Sequence, residues 1–127
     1  MSFKVEKLPN EPVILFTIFE DYDLLSEIGT AHQMVENLLE AQTAPVFLVH
    51  EIKAPVSLEE LIVGANPESH GRKPVWQHPN VRKFIVITTN AAMLAAAEGM
   101  GSEAFGNINI MVVGTLDEAL AHVRAQQ

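Results

Sequence analysis

Residues 81–123 read VRKFIVITTNAAMLAAAEGMGSEAFGNINIMVVGTLDEALAHV and carry the pattern that decides the fold. Two apolar segments rich in β-branched residues, Val81–Thr88 and Ile108–Val113, predict strands. Each is followed by a helical pattern, first the alanine-rich Ala91–Met100 and then the amphipathic Leu116–Arg124. Strands and helices that alternate at this spacing are typical of a parallel α/β sheet.

The first half of the chain extends the same sheet. Phe3–Leu8 alternates in polarity and Val13–Phe19 is almost continuously apolar, so both predict strands. The PNEP turn signal at 9–12 lies between them, which favours an antiparallel hairpin. Leu24–Ala41 follows with apolar residues on one helical face, and Asp23 is its candidate N-cap.

Pro45–Val49 predicts a third strand, and a helix is expected over Leu58–Ala65. The predicted order is β-β-α-β-α-β-α-β-α, an α/β fold in which helices flank a mixed, mostly parallel central sheet. Because no repeat or linker interrupts the pattern, we expect residues 1–127 to form one domain.

Composition narrows the class of function. The chain has no cysteine, which excludes disulfides and Cys-based metal or redox sites and favours the cytoplasm. No signal peptide or membrane span is expected, because the N-terminus lacks the secretory pattern and the apolar runs are short. The formal net charge of −8 argues against nucleic acid as a partner.

Thr88, Thr89 and Asn90 lie where the fourth predicted strand ends and a helix begins. Strand ends of this kind form the usual ligand side of α/β sheets, so these residues are candidate partner or ligand contacts. The simpler interpretation is that they cap the helix, and Thr115, with Glu118 three residues later, has the same pattern.

Ser57 begins another capping box, with Glu60 at the third helical position. A phosphate on this hydroxyl would be favoured by the helix dipole, which makes Ser57 a candidate regulatory phosphorylation site. Capping alone accounts for the serine equally simply, and Glu59 and Glu60 would repel an added phosphate.

The longest irregular segment, 66–80, is locally basic and contains Arg72, Lys73 and Trp76. An aromatic residue beside two cations is a common interface composition, so these three are candidate partner contacts. The alternatives are a solvated basic surface and a tryptophan that packs on the core. The two histidines of this segment, His70 and His78, are eight residues apart, which is weak evidence for a metal site, and none is predicted.

Three other histidines have structural interpretations. His32 is expected at the margin of the apolar face of its helix, where Glu36 is one turn away, and His122 similarly follows Glu118. His50 and Glu51 are adjacent in a strand and should point to opposite faces, so they do not predict an acid–base pair.

The complete element order resembles the STAS domain, the SpoIIAA-like anti-sigma-factor-antagonist fold, and within it bacterial members of unassigned function. The resemblance covers nearly the whole chain and includes His78-Pro79-Asn80 before the fourth strand and the ending Thr115-Leu116-Asp117-Glu118-Ala119-Leu120. It implies a non-enzymatic module that binds protein partners such as anti-sigma kinases, with some members binding nucleotides or lipids. Ser57 is the nearest match to the family's phosphorylated serine, although the preceding Asp and following Gly are missing.

Our expectation is therefore a non-enzymatic regulatory module that acts through protein–protein contacts, without cofactor or metal. The alternative is a carrier of a small molecule or lipid, with an apolar pocket beside the helix at 91–100. That helix is apolar on nearly all sides, so a neighbouring element, a second copy of the chain in a homodimer or an apolar ligand should cover it.

Overall fold

A computed structural model describes residues 2–21, 24–53, 78–89 and 110–126. Within these ranges the chain forms five strands and two helices. In chain order they are β1 (Phe3–Lys7), β2 (Val13–Ile18), α1 (Leu24–Glu40), β3 (Val46–Ile52), β4 (Val81–Ile87), β5 (Ile110–Val113) and α2 (Leu116–Ala125). The helices predicted over 58–65 and 91–100 lie outside the described residues.

The five strands form one mixed sheet in the order β1-β2-β3-β4-β5. The pair β1–β2 is antiparallel, and each later neighbouring pair is parallel, which confirms the predicted hairpin and the mixed, mostly parallel sheet. Asn10 turns the hairpin with φ 63°, a left-handed conformation that asparagine tolerates better than most residues. The turn is closed by Leu8 N–H, which donates to Val13 O at 3.0 Å.

Strand β3 is longer than predicted. The sequence suggested an end at Val49, whereas the strand continues to Ile52. Its last residues pair with β2 on one side, up to Ile18 opposite Ile52, and with β4 on the other, where Glu51 lies opposite Ile87. Two neighbouring ladders therefore hold a polar segment, which has weak strand propensity by itself, in the sheet.

The sheet buries a different set of residues on each face. On the first face, the α1 face, α1 packs through Ala31, Val35 and Leu39 against alternate strand residues such as Phe16 and Leu48. On the other, the α2 face, Ala119 and Val123 of α2 pack against the intervening residues. These include Val13, Leu15, Phe47, Val49, Ile85 and Ile87. Apolar runs in β2 and β4 are thus explained by burial on both faces.

The motif His78-Pro79-Asn80 fastens the end of α1 to the start of β4. The side-chain amide of Asn80 donates to Leu39 O at 2.8 Å and to Gln42 O at 3.3 Å. Leu39 O also accepts from Gln42 N–H at 3.2 Å, so the Asn80 amide adds a second bond to this carbonyl and connects the chain at and just after the end of α1 to β4. The ring of His78 in turn accepts from the Asn80 backbone N–H at 3.1 Å. These hydrogen bonds give the His78-Pro79-Asn80 motif a structural role.

Candidate functional site

The parallel strands β2 to β5 all end at the same side of the sheet, which we call the carboxyl edge. Their last residues there are Ile18, Ile52, Ile87 and Val113. In open α/β sheets ligands bind beyond this edge, so the polar groups near it are the first candidates for a functional site. They include Thr88 and Thr89 after β4, Thr115 after β5, and the histidines buried just inside the edge, besides the acidic residues that follow β2 and begin α2.

Thr88 and Thr89 follow β4 as predicted but differ in exposure. Thr88 is buried, 6% exposed, and its backbone N–H donates to Val113 O at 3.0 Å, so it continues the pairing of β4 with β5. Thr89 is exposed. Only the second therefore presents its side chain to solvent, and the role of either residue in binding stays a prediction.

Thr115 caps helix α2. It has extended backbone angles, φ −140° and ψ 159°, and its hydroxyl accepts from Glu118 N–H at 3.1 Å. The Glu118 carboxylate returns toward the chain before the helix, where Gly114 N–H donates to it at 3.4 Å. This confirms the capping interpretation and closely follows the expected box, with Gly114 in place of Thr115 as the second donor.

His50 lies in β3 on the α1 face, between two aromatic rings. Its ring centroid is 4.8 Å from that of Phe16 and 4.6 Å from that of Phe84, both at edge-to-face angles. The residue is 6% exposed, and its Nε2 atom has no hydrogen-bond partner among the described residues. A buried polar atom without a partner is uncommon and marks a place where a water or a ligand atom can bind.

His32 of α1 lies on the same face and is also buried. It is 3% exposed, and its ring is 6.3 Å from that of Phe16, again edge to face. The expectation that His32 lies at the margin of the apolar face of its helix is therefore wrong. Packing of α1 on the sheet buries His32 beside Phe16 and near His50.

The buried environment decides the charge of His50. Burial, and to a smaller extent the charge of nearby His32, lowers the pKa of His50 from 6.5 to about 3. The imidazole is consequently neutral at pH 7, where it can donate one hydrogen bond and accept another. A general base works best with a pKa near the operating pH, so this imidazole is poorly suited to proton transfer but well suited to hydrogen bonding.

Sequence reasoning treated His50 only as a neighbour of Glu51 and missed the histidine pair. The expected divergence of the two side chains is confirmed. His50 lies among the aromatic rings of the α1 face, whereas the half-buried Glu51 lies 3.9 Å from the Lys53 ammonium. A signal did exist, because alternation from Val46 and Leu48 assigns His50 to the apolar α1 face.

His122 has partners other than the one expected. Its Nε2 atom lies 3.4 Å from the Lys83 ammonium, and its ring is 6.3 Å from that of Phe47. Glu118, expected one turn away as its partner, instead accepts from Gly114 at the start of α2. The expected His122–Glu118 pair is therefore wrong, because contacts with the sheet replace the contact within the helix.

Several candidate residues lie outside the described part of the chain: Ser57, Arg72, Lys73, Trp76 and Asn90. Their functional interpretations stay predictions. Within the described ranges, no three His, Asp or Glu side chains are grouped so that they could hold a metal ion. Neither α1 nor α2 is long and apolar enough to cross a bilayer.

Comparison of the chain with protein-family models, with curated proteins and with solved structures finds no match.

Proposed function

We propose that the chain is a STAS-like regulatory module that acts by binding protein partners. The order and directions of the five strands carry the proposal. An antiparallel hairpin opens a sheet whose later neighbours are parallel, which fits the leading strand pair and the mixed, mostly parallel sheet that the resemblance to STAS domains implies. The same resemblance implies partner binding as the activity.

The chemistry of the carboxyl edge supports binding over catalysis. Thr115 is used as a helix cap, and the backbone of Thr88 is used to extend the sheet. His50 is held neutral by burial, which lowers its pKa to about 3. Polar groups engaged in this way stabilise a rigid surface, and a rigid surface lowers the entropy cost of docking a partner.

The proposed contact surface combines Ser57 with the Trp76 segment. Ser57 is the position at which a phosphate would switch binding on or off, because it would add a charge of about −1.5 to −2 at the start of the predicted helix. Arg72 and Lys73 beside Trp76 supply the charged and aromatic groups typical of interface hot spots.

Affinity capture with the tagged chain, followed by identification of bound proteins, tests the proposal. A partner should be retained by the unmodified chain, lost with Trp76→Ala or with Arg72→Ala/Lys73→Ala, and altered by Ser57→Asp but not by Ser57→Ala. Gln33→Ala is the matched control, because Gln33 is exposed on α1 and its side chain donates to Asn37 of the same helix. Identical capture by all variants would refute the proposed surface, and unmodified Ser57 in cells would refute the switch.

One atom favours the alternative, a carrier of a small molecule or lipid. Nε2 of His50 is buried among aromatic rings without a partner in the described residues, and a ligand hydroxyl or carbonyl could bind it. Native mass spectrometry of the gently purified protein tests this. A bound small molecule that is lost on denaturation and absent from His50→Leu would support the carrier, whereas an unliganded mass for both proteins would exclude it.

A further inference from the structure

An irregularity at the start of β4 brings two cations to one face of the sheet. Val81 pairs with Val46, but the next partner, Phe47, lies opposite Lys83, so Arg82 is the extra residue of a bulge. Arg82 and Lys83 consequently both contact the α2 face, although neighbouring strand residues ordinarily point to opposite faces.

Contacts with the sheet and with α2 fix these cations. The Arg82 guanidinium lies 5.1 Å from the centroid of the Phe47 ring and donates to Gln126 O at 2.9 Å. The Lys83 ammonium lies 3.4 Å from Nε2 of His122. Arg82 also caps a free carbonyl at the C-terminus of α2, where a positive charge is favoured. The positive groups are therefore preorganised at this end of the sheet.

Arg124 of α2 is the third cation of what we call the basic cluster: Arg82, Lys83 and Arg124. Its guanidinium binds Glu11, with Nη2 at 2.8 Å from Oε1. Among the described residues, no carboxylate forms an ion pair with Arg82 or Lys83. Two of the three charges thus lack an acidic partner within the described part of the chain.

Of the ten acidic side chains in the described ranges, Glu11 binds Arg124 and Glu40 ends α1 near the start of β4, whereas six lie at the opposite end of the sheet. These six follow β2, end β3 or occupy the first turns of α1 and α2: Glu20, Asp21, Glu27, Glu51, Asp117 and Glu118. The Debye length is about 8 Å at physiological ionic strength, so a ligand at the basic cluster is largely screened from that end. A short anionic segment can therefore bind locally despite the net charge of −8.

We infer that the basic cluster is a docking surface for an acidic segment of a partner protein. The inference rests on the proposed function only in that the partner is a protein. Arginine and lysine pair well with carboxylates, and the fork of Arg82 retains donors beyond the one used by Gln126. A long polyanion such as nucleic acid would extend more than a Debye length from the basic cluster and would be repelled by the acidic side chains at the opposite end of the sheet.

A fluorescent tetraglutamate peptide, short enough to stay near the basic cluster, is titrated into the purified full chain and followed by anisotropy to test this. Binding should weaken as salt rises, and a glutamine peptide of equal length should not bind. Arg82→Gln/Lys83→Gln should weaken binding about tenfold or more. Lys4→Gln/Lys53→Gln, which removes the same charge far from the cluster, should change it by less than about twofold.

Lys83→Gln alone guards against a folding artefact, because it leaves Arg82 on Phe47. It should still weaken peptide binding severalfold while the thermal melt is unchanged.

Equal binding by both double variants, or no binding to the unmodified chain, would overturn the inference. Tighter binding to single-stranded DNA or anionic vesicles would overturn the protein assignment, and a cluster-dependent dimer in sedimentation would assign the surface to a second copy. None of these variants changes Ser57 or Trp76. Failure of the peptide test would therefore refute the basic cluster without refuting the contact surface that the affinity-capture experiment tests.

Discussion

The two faces of the sheet are built from the same strands but enclose different chemistry. On the α1 face, His32 and His50 are buried beside Phe16. On the α2 face, the described core is apolar around Phe47 and Val49, and neither buried histidine reaches it. The α1 face therefore has less hydrophobic contact but contains buried groups that can form hydrogen bonds. The α2 face stabilises the fold by apolar packing and also holds the basic cluster.

The α1 face should consequently respond to acid and the α2 face should not. Burial lowers the pKa of His50 to about 3 in the folded chain. Between pH 6.5 and about 3, the unfolded chain therefore binds a proton at His50 that the folded chain does not bind. Stability conferred by this face is therefore complete above pH 6.5 and declines as the pH falls toward 3. Three measurements test this difference between the two faces.

The largest effects are expected from removing one aromatic ring on each face. Phe16→Ala and Phe47→Ala should each lower the free energy of unfolding by about 3–5 kcal/mol at pH 7, since both side chains are fully buried. Their acid responses should differ. Phe16→Ala admits water to His50 and should flatten the loss of stability below pH 6.5, whereas Phe47→Ala should retain it. Urea unfolding at several pH values measures both, and equal acid slopes would contradict the contrast.

The next effect concerns His50 itself. His50→Leu should be neutral or stabilising at pH 7, because hydrocarbon replaces a buried nitrogen without a partner. Relative to this variant, the unmodified chain should lose up to about 1.4 kcal/mol per pH unit between pH 6.5 and about 3.

Taking the difference between these two proteins removes the contribution of the carboxylates, which titrate in both. His78→Leu is the matched control, because it removes a histidine that is only half-buried and lies outside the ring cluster around His50. A pH-independent difference between the unmodified chain and His50→Leu would refute the neutral, buried state of His50.

The smallest effects concern the attachments of the two helices. Asn80→Ala should cost about 1–2 kcal/mol, because it removes two bonds to carbonyls at the end of α1. Arg124→Gln should cost at most about 1 kcal/mol, since its ion pair with Glu11 is on an exposed arginine. Amide hydrogen exchange should show opening confined to the end of α1 in the first variant. Equal costs would mean that both helices are held in the same way.

Much of the fold could be predicted because local patterns carried it. The hairpin followed from an alternating and an apolar segment on either side of an Asn-containing turn. Helices α1 and α2 followed from apolar spacing, within one residue of their observed ends. The extension of β3 to Ile52 could not be predicted, because pairing with β2 and β4 and not propensity holds it. Thr115 was assigned correctly because a cap involves neighbours in sequence.

The sequence by itself determined the α/β class, the hairpin and the cap at Thr115, since these depend on residues a few positions apart. Only the tertiary structure decided that His32 meets Phe16, that Asn80 binds α1 from 38 and 41 residues away, and that Arg82 binds Gln126 44 residues away. Such contacts depend on which side chains of each strand point to a given face of the sheet and on where a bulge shifts that alternation. Both are determined by the packing of the helices and the sheet together.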